Sequence, residues 1–145
     1  MSGYKNILVA VDLSDDSPLV LDKALSIAKQ GHAELSLVHV MEPIAVGYAV
    51  EVTGIDIEGL HAEAAKHART ALLEMGANVD IPTRRLHNLL GNPAREIREL
   101  AKEVKADLVV MGGHGKHGWD LLFGSTSSGV THGVSCDLLI VRIPG

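Results

Sequence analysis

Short apolar runs alternate along the chain with segments whose apolar residues recur at helical spacing. The first run, Ile7-Leu8-Val9-Ala10-Val11, is rich in β-branched residues and has polar residues on either side. Such a run is typical of a strand buried on both faces, as in parallel sheets. Strands that alternate with helices predict right-handed βαβ units. The expected fold is therefore α/β: an open, doubly wound, parallel five-stranded sheet with helices on both faces.

Helix start and stop signals divide the chain further. Ser17 is expected to cap the first helix and Gly31 to end it, while Gly76 is expected to end the second helix. Asn92, followed by proline, is expected to cap the third helix. Residues 42–55 show no clean periodicity and are interpreted as an irregular excursion. The predicted strands are 7–11, 35–40, 83–87 (polar, hence at an edge), 107–111 and 138–142, and the predicted helices are 18–30, 56–75, 93–104 and 125–133.

Length and composition limit the class of protein. The 145 residues are about one domain's worth, so 1–145 is interpreted as a single domain. The formal net charge of −5 argues against a nucleic-acid binder. One cysteine, Cys136, excludes an internal disulfide and fits a reducing compartment. No apolar run approaches the roughly 20 residues of a membrane span, and no signal-peptide pattern is seen, so we expect a cytoplasmic protein.

The unusual residues follow the first and fourth predicted strands. A common order for five strands, 3-2-1-4-5, would put a ligand crevice between these two strand ends. Asp12 follows strand one, and a glycine-rich stretch, 112–118, follows strand four. Glycines there permit positive φ and close approach of the backbone to a ligand. Gly124-Ser125-Thr126 opens the last helix, where backbone N–H groups and hydroxyls favour an anion. Together these features indicate a nucleoside phosphate.

Structural interpretations of the same residues stay open. The glycines can form a tight connector and a helix start, and Asp12 can cap residues 14–16. His114 and His117 lie three apart without a third ligand, so no metal site is expected. The 112–118 stretch is not a P-loop, because Val110 stands where that motif needs its first glycine.

At this point the motifs resemble a known family. The stretch Asp107-Leu108-Val109-Val110-Met111-Gly112-Gly113-His114-Gly115, then Gly124-Ser125-Thr126, is similar to the nucleotide signature of universal stress proteins. The opening 7–14 and the run 136–142 resemble the same family, and the likeness covers essentially the whole chain. It implies the strand order 3-2-1-4-5. It also implies a homodimer, in many members paired through the last strand, here Leu138 to Arg142.

The family has two branches, and this chain departs from both. ATP-binding members carry Gly-x-x-Gly, nine residues, then Gly-Ser/Thr, whereas the founding branch lacks the glycines and does not hold ATP. Here Gly112 and Gly115 are present, but only eight residues, Lys116 to Phe123, separate Gly115 from Gly124. The glycines resemble the ATP branch, and the loop length resembles the nucleotide-free branch.

The resemblance also implies roles for individual residues. Asp12 would contact the ribose, and Val40 would contact adenine through its backbone. Gly112 and Gly115 would lie against ribose and phosphates, with Ser125 and Thr126 holding the outer phosphates. The remaining residues expected at the nucleotide are Ala10, Met111, Gly124 and the phosphate neighbours His114 and Lys116.

Three functional hypotheses follow. The first is a dimeric cytoplasmic stress-response protein that binds an adenine nucleotide, ATP above others, with Mg²⁺ if a triphosphate is bound. The alternative is a nucleotide-free dimeric interaction protein of the founding branch. The third is a weak ATPase or autophosphorylating protein, with 125–128 as acceptors; no general base is evident beyond Asp12 or a loop histidine.

Overall fold

A computed structural model describes residues 3–43, 54–114 and 125–144 of the chain. Its five strands form one parallel sheet in the order β3-β2-β1-β4-β5, which confirms the order implied by the family resemblance. The strands are β1 (Asn6–Ala10), β2 (Glu34–Met41), β3 (Leu86–Leu90), β4 (Leu108–His114) and β5 (Asp137–Ile143). The described helices are α1 (Ser17–Gly31), α2 (Ile57–Asn78), α3 (Pro93–Glu103) and α4 (Ser125–Gly133).

Two apolar cores cover the two faces of the sheet. Ile7 and Val9 of β1 face the core beneath α1 and α2, whereas Leu8 between them faces the core beneath α3 and α4. All three side chains are fully buried. Because successive strand residues point to opposite faces, a strand covered on both sides is apolar throughout. This explains the continuous apolar run at the start of the sequence.

Helix α1 differs from the sequence prediction at both ends. Asp16, not Ser17, occupies the N-cap position, and Ser17 is the first helical residue. The Ser17 hydroxyl does not cap the helix but donates a hydrogen bond to Asp12. At the other end His32, with φ 54°, takes the left-handed position expected of Gly31. A Cβ on Gly31 would lie 2.5 Å from the Tyr4 carbonyl oxygen, so this glycine permits close packing of the segment before β1.

The prediction that Gly76 ends α2 is wrong. The helix continues to Asn78, and Gly76 is buried within it against Leu86 of β3. The chain then forms a 3-10 turn, Thr83–Arg85, so β3 begins three residues later than predicted. Its predicted edge position is confirmed.

Strand β4 is longer than the sequence indicates. Gly112, Gly113 and His114 were expected in a loop, but they pair with Val141, Arg142 and Ile143 of β5. Neither Gly112 nor Gly113 has positive φ. A Cβ on Gly112 would lie 2.6 Å from Ile143 Cδ1 and 3.0 Å from Val20 Cγ2. Close packing, rather than a turn, therefore requires glycine here.

Two predicted features extend beyond the described residues. Residues 44–53, which are most of the predicted excursion 42–55, and residues 115–124, which follow β4, lie outside the described ranges.

Helix α4 has the predicted bounds. None of the helices in the described part of the chain combines the length and apolar character needed to span a membrane.

Candidate functional site

A cleft of about 340 Å³ opens at the carboxyl edge of the sheet, where the strand order reverses between β1 and β4. Its volume lies within the roughly 300–1,000 Å³ typical of small-molecule sites. The described lining comes from the ends of β1, β2, β4 and β5, the start of α1 and the first turns of α3. These residues are Ala10, Val11, Asp12, Ser17, Val20, Val38, His39, Val40, Glu42, Pro93, Ile97, Met111, Gly112, Gly113 and Ile143.

Asp12 organises the turn that leads from β1 into α1. Its Oδ1 accepts a hydrogen bond from the Ser14 backbone N–H at 3.0 Å and another from the Ser17 hydroxyl at 3.2 Å. Leu13, between them, has φ 64°, a region that non-glycine residues adopt rarely and at a cost. The predicted capping role of Asp12 in this turn is therefore confirmed. Its carboxylate also lines the cleft, where a ligand can reach it.

A histidine holds the ends of β1 and β2 together. His39 Nδ1 lies 3.0 Å from the Val11 carbonyl oxygen. A carbonyl only accepts, so Nδ1 must donate. The Val11 N–H in turn donates to Val38 O at 2.9 Å. These two bonds extend the β1–β2 pairing one residue past β1 and fix the wall of the cleft.

The start of α3 borders the cleft beside the end of β2. Asn92 Oδ1 accepts from the Arg95 N–H at 3.0 Å, which confirms the predicted cap. The Gly91 N–H donates to Met41 O at 2.9 Å and ties the helix start to the end of β2. Pro93 and Ile97 then face the cleft.

The described lining is apolar at its floor and acidic at its rim. Val38, Met111 and Ile97 are buried, whereas Asp12 and Glu42 are exposed. None of the described lining residues is a lysine or arginine. An uncharged ring system with hydroxyl donors suits this lining better than a phosphate does. The described lining therefore offers a phosphate no cationic partner.

Helix α4 begins at the same edge of the sheet as the cleft. It connects two parallel neighbours, β4 and β5, so it must run back from the carboxyl edge to the amino edge. Its end at Gly133 is close in sequence to the start of β5 at Asp137. Its N-terminus therefore lies at the carboxyl edge, and because the first N–H groups of a helix have no partner within the helix, such an end favours anions.

The eleven predicted site residues divide into three groups. Ala10, Asp12, Val40, Met111 and Gly112 come together as lining of the one cleft. His114 ends β4, and Ser125 and Thr126 open α4, so their backbones lie on the elements that flank the carboxyl edge. The remaining three, Gly115, Lys116 and Gly124, lie outside the described ranges.

Sequence reasoning missed the walls of the cleft. The helix-start signal at Asn92 and Pro93 does not indicate that Pro93 and Ile97 line a cleft, and no pattern singles out Glu42. The strand order 3-2-1-4-5 does indicate that α3 borders the cleft. A helix that joins edge strand β3 to β4 must cross over β2 and β1, and it begins at the carboxyl edge.

Comparison with known proteins now identifies the family. The family model described as the universal stress protein family matches residues 3–142. The chain belongs to this family. Universal stress protein A homolog 1 of Coxiella burnetii is 39% identical over 138 residues, which cover 95% of this chain and 96% of that protein. A universal stress protein A homolog of Haemophilus influenzae is 33% identical over 143 residues, 97% of each chain.

Solved universal stress protein structures share the fold. Universal stress protein UspA from Lactobacillus plantarum superposes with a TM-score of 0.79 at 27% identity, covering 98% of this chain and all (100%) of that one. A universal stress protein crystallised in complex with cAMP gives a TM-score of 0.64 at 24% identity, covering 97% and 98%. At that identity the second likeness concerns the fold alone.

Proposed function

We propose that this universal stress protein is a single domain, 1–145, that binds an adenine nucleotide in the cleft between β1 and β4. The observation that carries the proposal is the composition of this cleft. It combines an apolar floor, a carboxylate at the rim and, at the same edge of the sheet, the N-terminus of α4. The nucleoside would occupy the floor, with its ribose hydroxyls donating to Asp12. The phosphates would lie toward Ser125 and Thr126.

ATP is the nucleotide that we favour. The family resemblance implies that Ser125 and Thr126 hold outer phosphates, and a nucleoside has no phosphates for them to hold. Mg²⁺ would then be held largely by phosphate oxygens and water. The cAMP complex of a structural relative supports an adenine nucleotide as the ligand class, because the same fold accepts one there. We further propose that the protein acts in the cytoplasm as a dimeric regulatory module, signalling through nucleotide occupancy.

A second candidate is a nucleotide-free dimeric interaction protein. The eight residues between Gly115 and Gly124 favour it, because ATP-binding relatives are expected to have nine. A missing residue shifts the glycines relative to the start of α4 unless the turn tightens.

One experiment separates the two candidates. The protein is purified natively and denatured, and its supernatant is analysed by ion-exchange chromatography for released nucleotide. ATP or ADP in near-stoichiometric amount is the expected result. If none is released, ATP and Mg²⁺ are added and the melting temperature is followed, since a ligand that binds only the folded state must raise it. No release and no thermal shift would exclude the proposal in favour of the nucleotide-free module.

A variant tests the position of the site. Gly115→Trp places a bulky side chain where the backbone is expected to approach the nucleotide. We expect it to abolish release and thermal shift while the unliganded melting temperature and circular dichroism stay near wild type. Retained binding in this variant would remove Gly115 from the site.

A further inference from the structure

Helix α4 packs against α3 across two glycines four residues apart. A Cβ on Gly129 would lie 2.6 Å from Ala94 Cβ, and a Cβ on Gly133 would lie 2.3 Å from Arg98 Cδ. Both distances are shorter than any ordinary carbon–carbon contact. The separation of the two helices therefore depends on glycine at 129, whereas glycine at 133 leaves room for the Arg98 side chain.

Arg98 occupies the groove that these glycines open. Its side chain is half-buried, and its Nη1 donates to the Gly129 carbonyl oxygen at 2.8 Å. A charged donor makes a shorter and stronger bond than a neutral one. Glycines offer no side chains that could interlock with α3. Among the described contacts of α4, the bond from Arg98 and the packing of the buried Val130 in the second core oppose sliding of α4 along its axis.

Helix α3 contributes both to the cleft and to this contact. Pro93 and Ile97 line the cleft, and the next residue along in each case, Ala94 and Arg98, contacts α4. A displacement of α4 relative to α3 is thus a displacement relative to the cleft wall. The N–H groups at the start of α4 are affected most directly, because they lie at the carboxyl edge beside the cleft.

We propose that Arg98 is a positioning residue for phosphate recognition. It holds α4 at the place where the N–H groups of its first turn reach the phosphates of a nucleotide bound in the cleft. It touches neither the cleft nor the ligand. The inference rests on the proposed function and adds to it a residue whose removal affects the phosphate end of the ligand selectively.

The test compares ATP–Mg²⁺ with adenosine, which lacks phosphates, by isothermal titration calorimetry. Arg98→Ala is expected to weaken ATP binding about tenfold and to change adenosine binding less than about twofold. Arg98→Lys, which keeps one charged donor, should recover part of the loss. Arg95→Ala is the matched control, since Arg95 lies one turn away on the same helix, is exposed and pairs with Glu99. It should change neither affinity.

A double variant checks the mechanism. Gly133→Ala should force the Arg98 side chain out of the groove and reproduce the loss for ATP. In the Arg98→Ala background the same glycine substitution should have little further effect, because the two changes act through one contact.

The outcomes separate this inference from the proposed function. Equal weakening of ATP and adenosine would mean that Arg98 acts only on general stability, and unchanged affinities would mean that it does not act at all. Either result overturns the inference and leaves nucleotide binding intact. If wild-type protein binds neither ligand, the proposed function fails and the inference fails with it.

Discussion

At the residue scale, Asp12 joins two roles that substitutions can separate. Asp12→Ala removes the acceptor for the buried Ser17 hydroxyl and for the Ser14 N–H, which should cost about 1–3 kcal/mol in the free energy of unfolding. Asp12→Asn keeps an acceptor oxygen and should cost less. Both variants lose the charge offered to the ribose, so both should weaken nucleotide binding roughly tenfold. Urea unfolding and calorimetric titration measure the two effects.

Asp15→Asn is the control for this comparison, because Asp15 is exposed in the same turn and lies outside the described lining of the cleft. If Asp12→Asn binds ATP as tightly as wild type, Asp12 organises the turn only. The sequence indicated both roles, since an aspartate after a buried strand is a common device for either. It did not indicate the left-handed Leu13, which packs against the first core, or the N-cap position of Asp16, where Ser17 instead donates to Asp12.

At the scale of elements, Gly76 shows how packing overrides local preference. Gly76→Ala gains about 1 kcal/mol of helix propensity but places a Cβ 2.9 Å from Leu86 Cδ2 and 3.3 Å from Ile81 O. Overpacking of this kind costs about 1–3 kcal/mol, so we expect a net loss of about 1 kcal/mol. In a Leu86→Ala background, where only the approach to Ile81 O remains, the same substitution should cost less stability than in the wild-type protein.

Thermal or urea unfolding of the four proteins measures this coupling, with Ala77→Gly, at an exposed position beside it, as the control for propensity alone. A loss of the same size in both backgrounds would show that Leu86 is not the obstacle.

Most strands and helices could be predicted from the sequence, because the spacing of apolar residues follows which side chains are buried. The wrong predictions concern residues whose structure depends on a neighbouring element. Gly76 packs against β3, and Gly112-Gly113-His114 belong to β4 because they pair with β5. A glycine in a single sequence does not say whether it serves a turn or close packing.

At the scale of the whole molecule, topology determined where the site lies. Five predicted site residues meet in one cleft because parallel strands end at the same edge and the order reverses between β1 and β4. The walls formed by Pro93 and Ile97 required the path of α3 across the sheet, which depends on strand order rather than local pattern. Each of the two outer strands, β3 and β5, has one edge that is unpaired within the described part of the chain. Such an edge can pair with a strand of another chain.

Of the two edges, β5 is the one expected to form the proposed homodimer. Its residues 138–141 are apolar and half-buried, and Tyr4 holds its start by donating to Asp137 Oδ2 at 2.6 Å. A two-fold axis perpendicular to the sheet would make the two β5 strands antiparallel, with Ile140, the centre of 138–142, opposite its own copy. Ile140→Lys would then place like charges face to face, which destabilises such a pair.

Light scattering after size exclusion should give twice the 15.4 kDa chain mass for wild type and a single chain for Ile140→Lys. The variant should keep a native circular dichroism spectrum, because β5 remains paired with β4 along Asp137 to Ile143. Leu90→Lys, on the exposed end of the opposite edge strand, should leave the dimer intact. A monomeric wild type, or a dimer broken by Leu90→Lys but not by Ile140→Lys, would contradict assembly through β5. The latter result would instead place the interface at β3, on the far side of the sheet from β5.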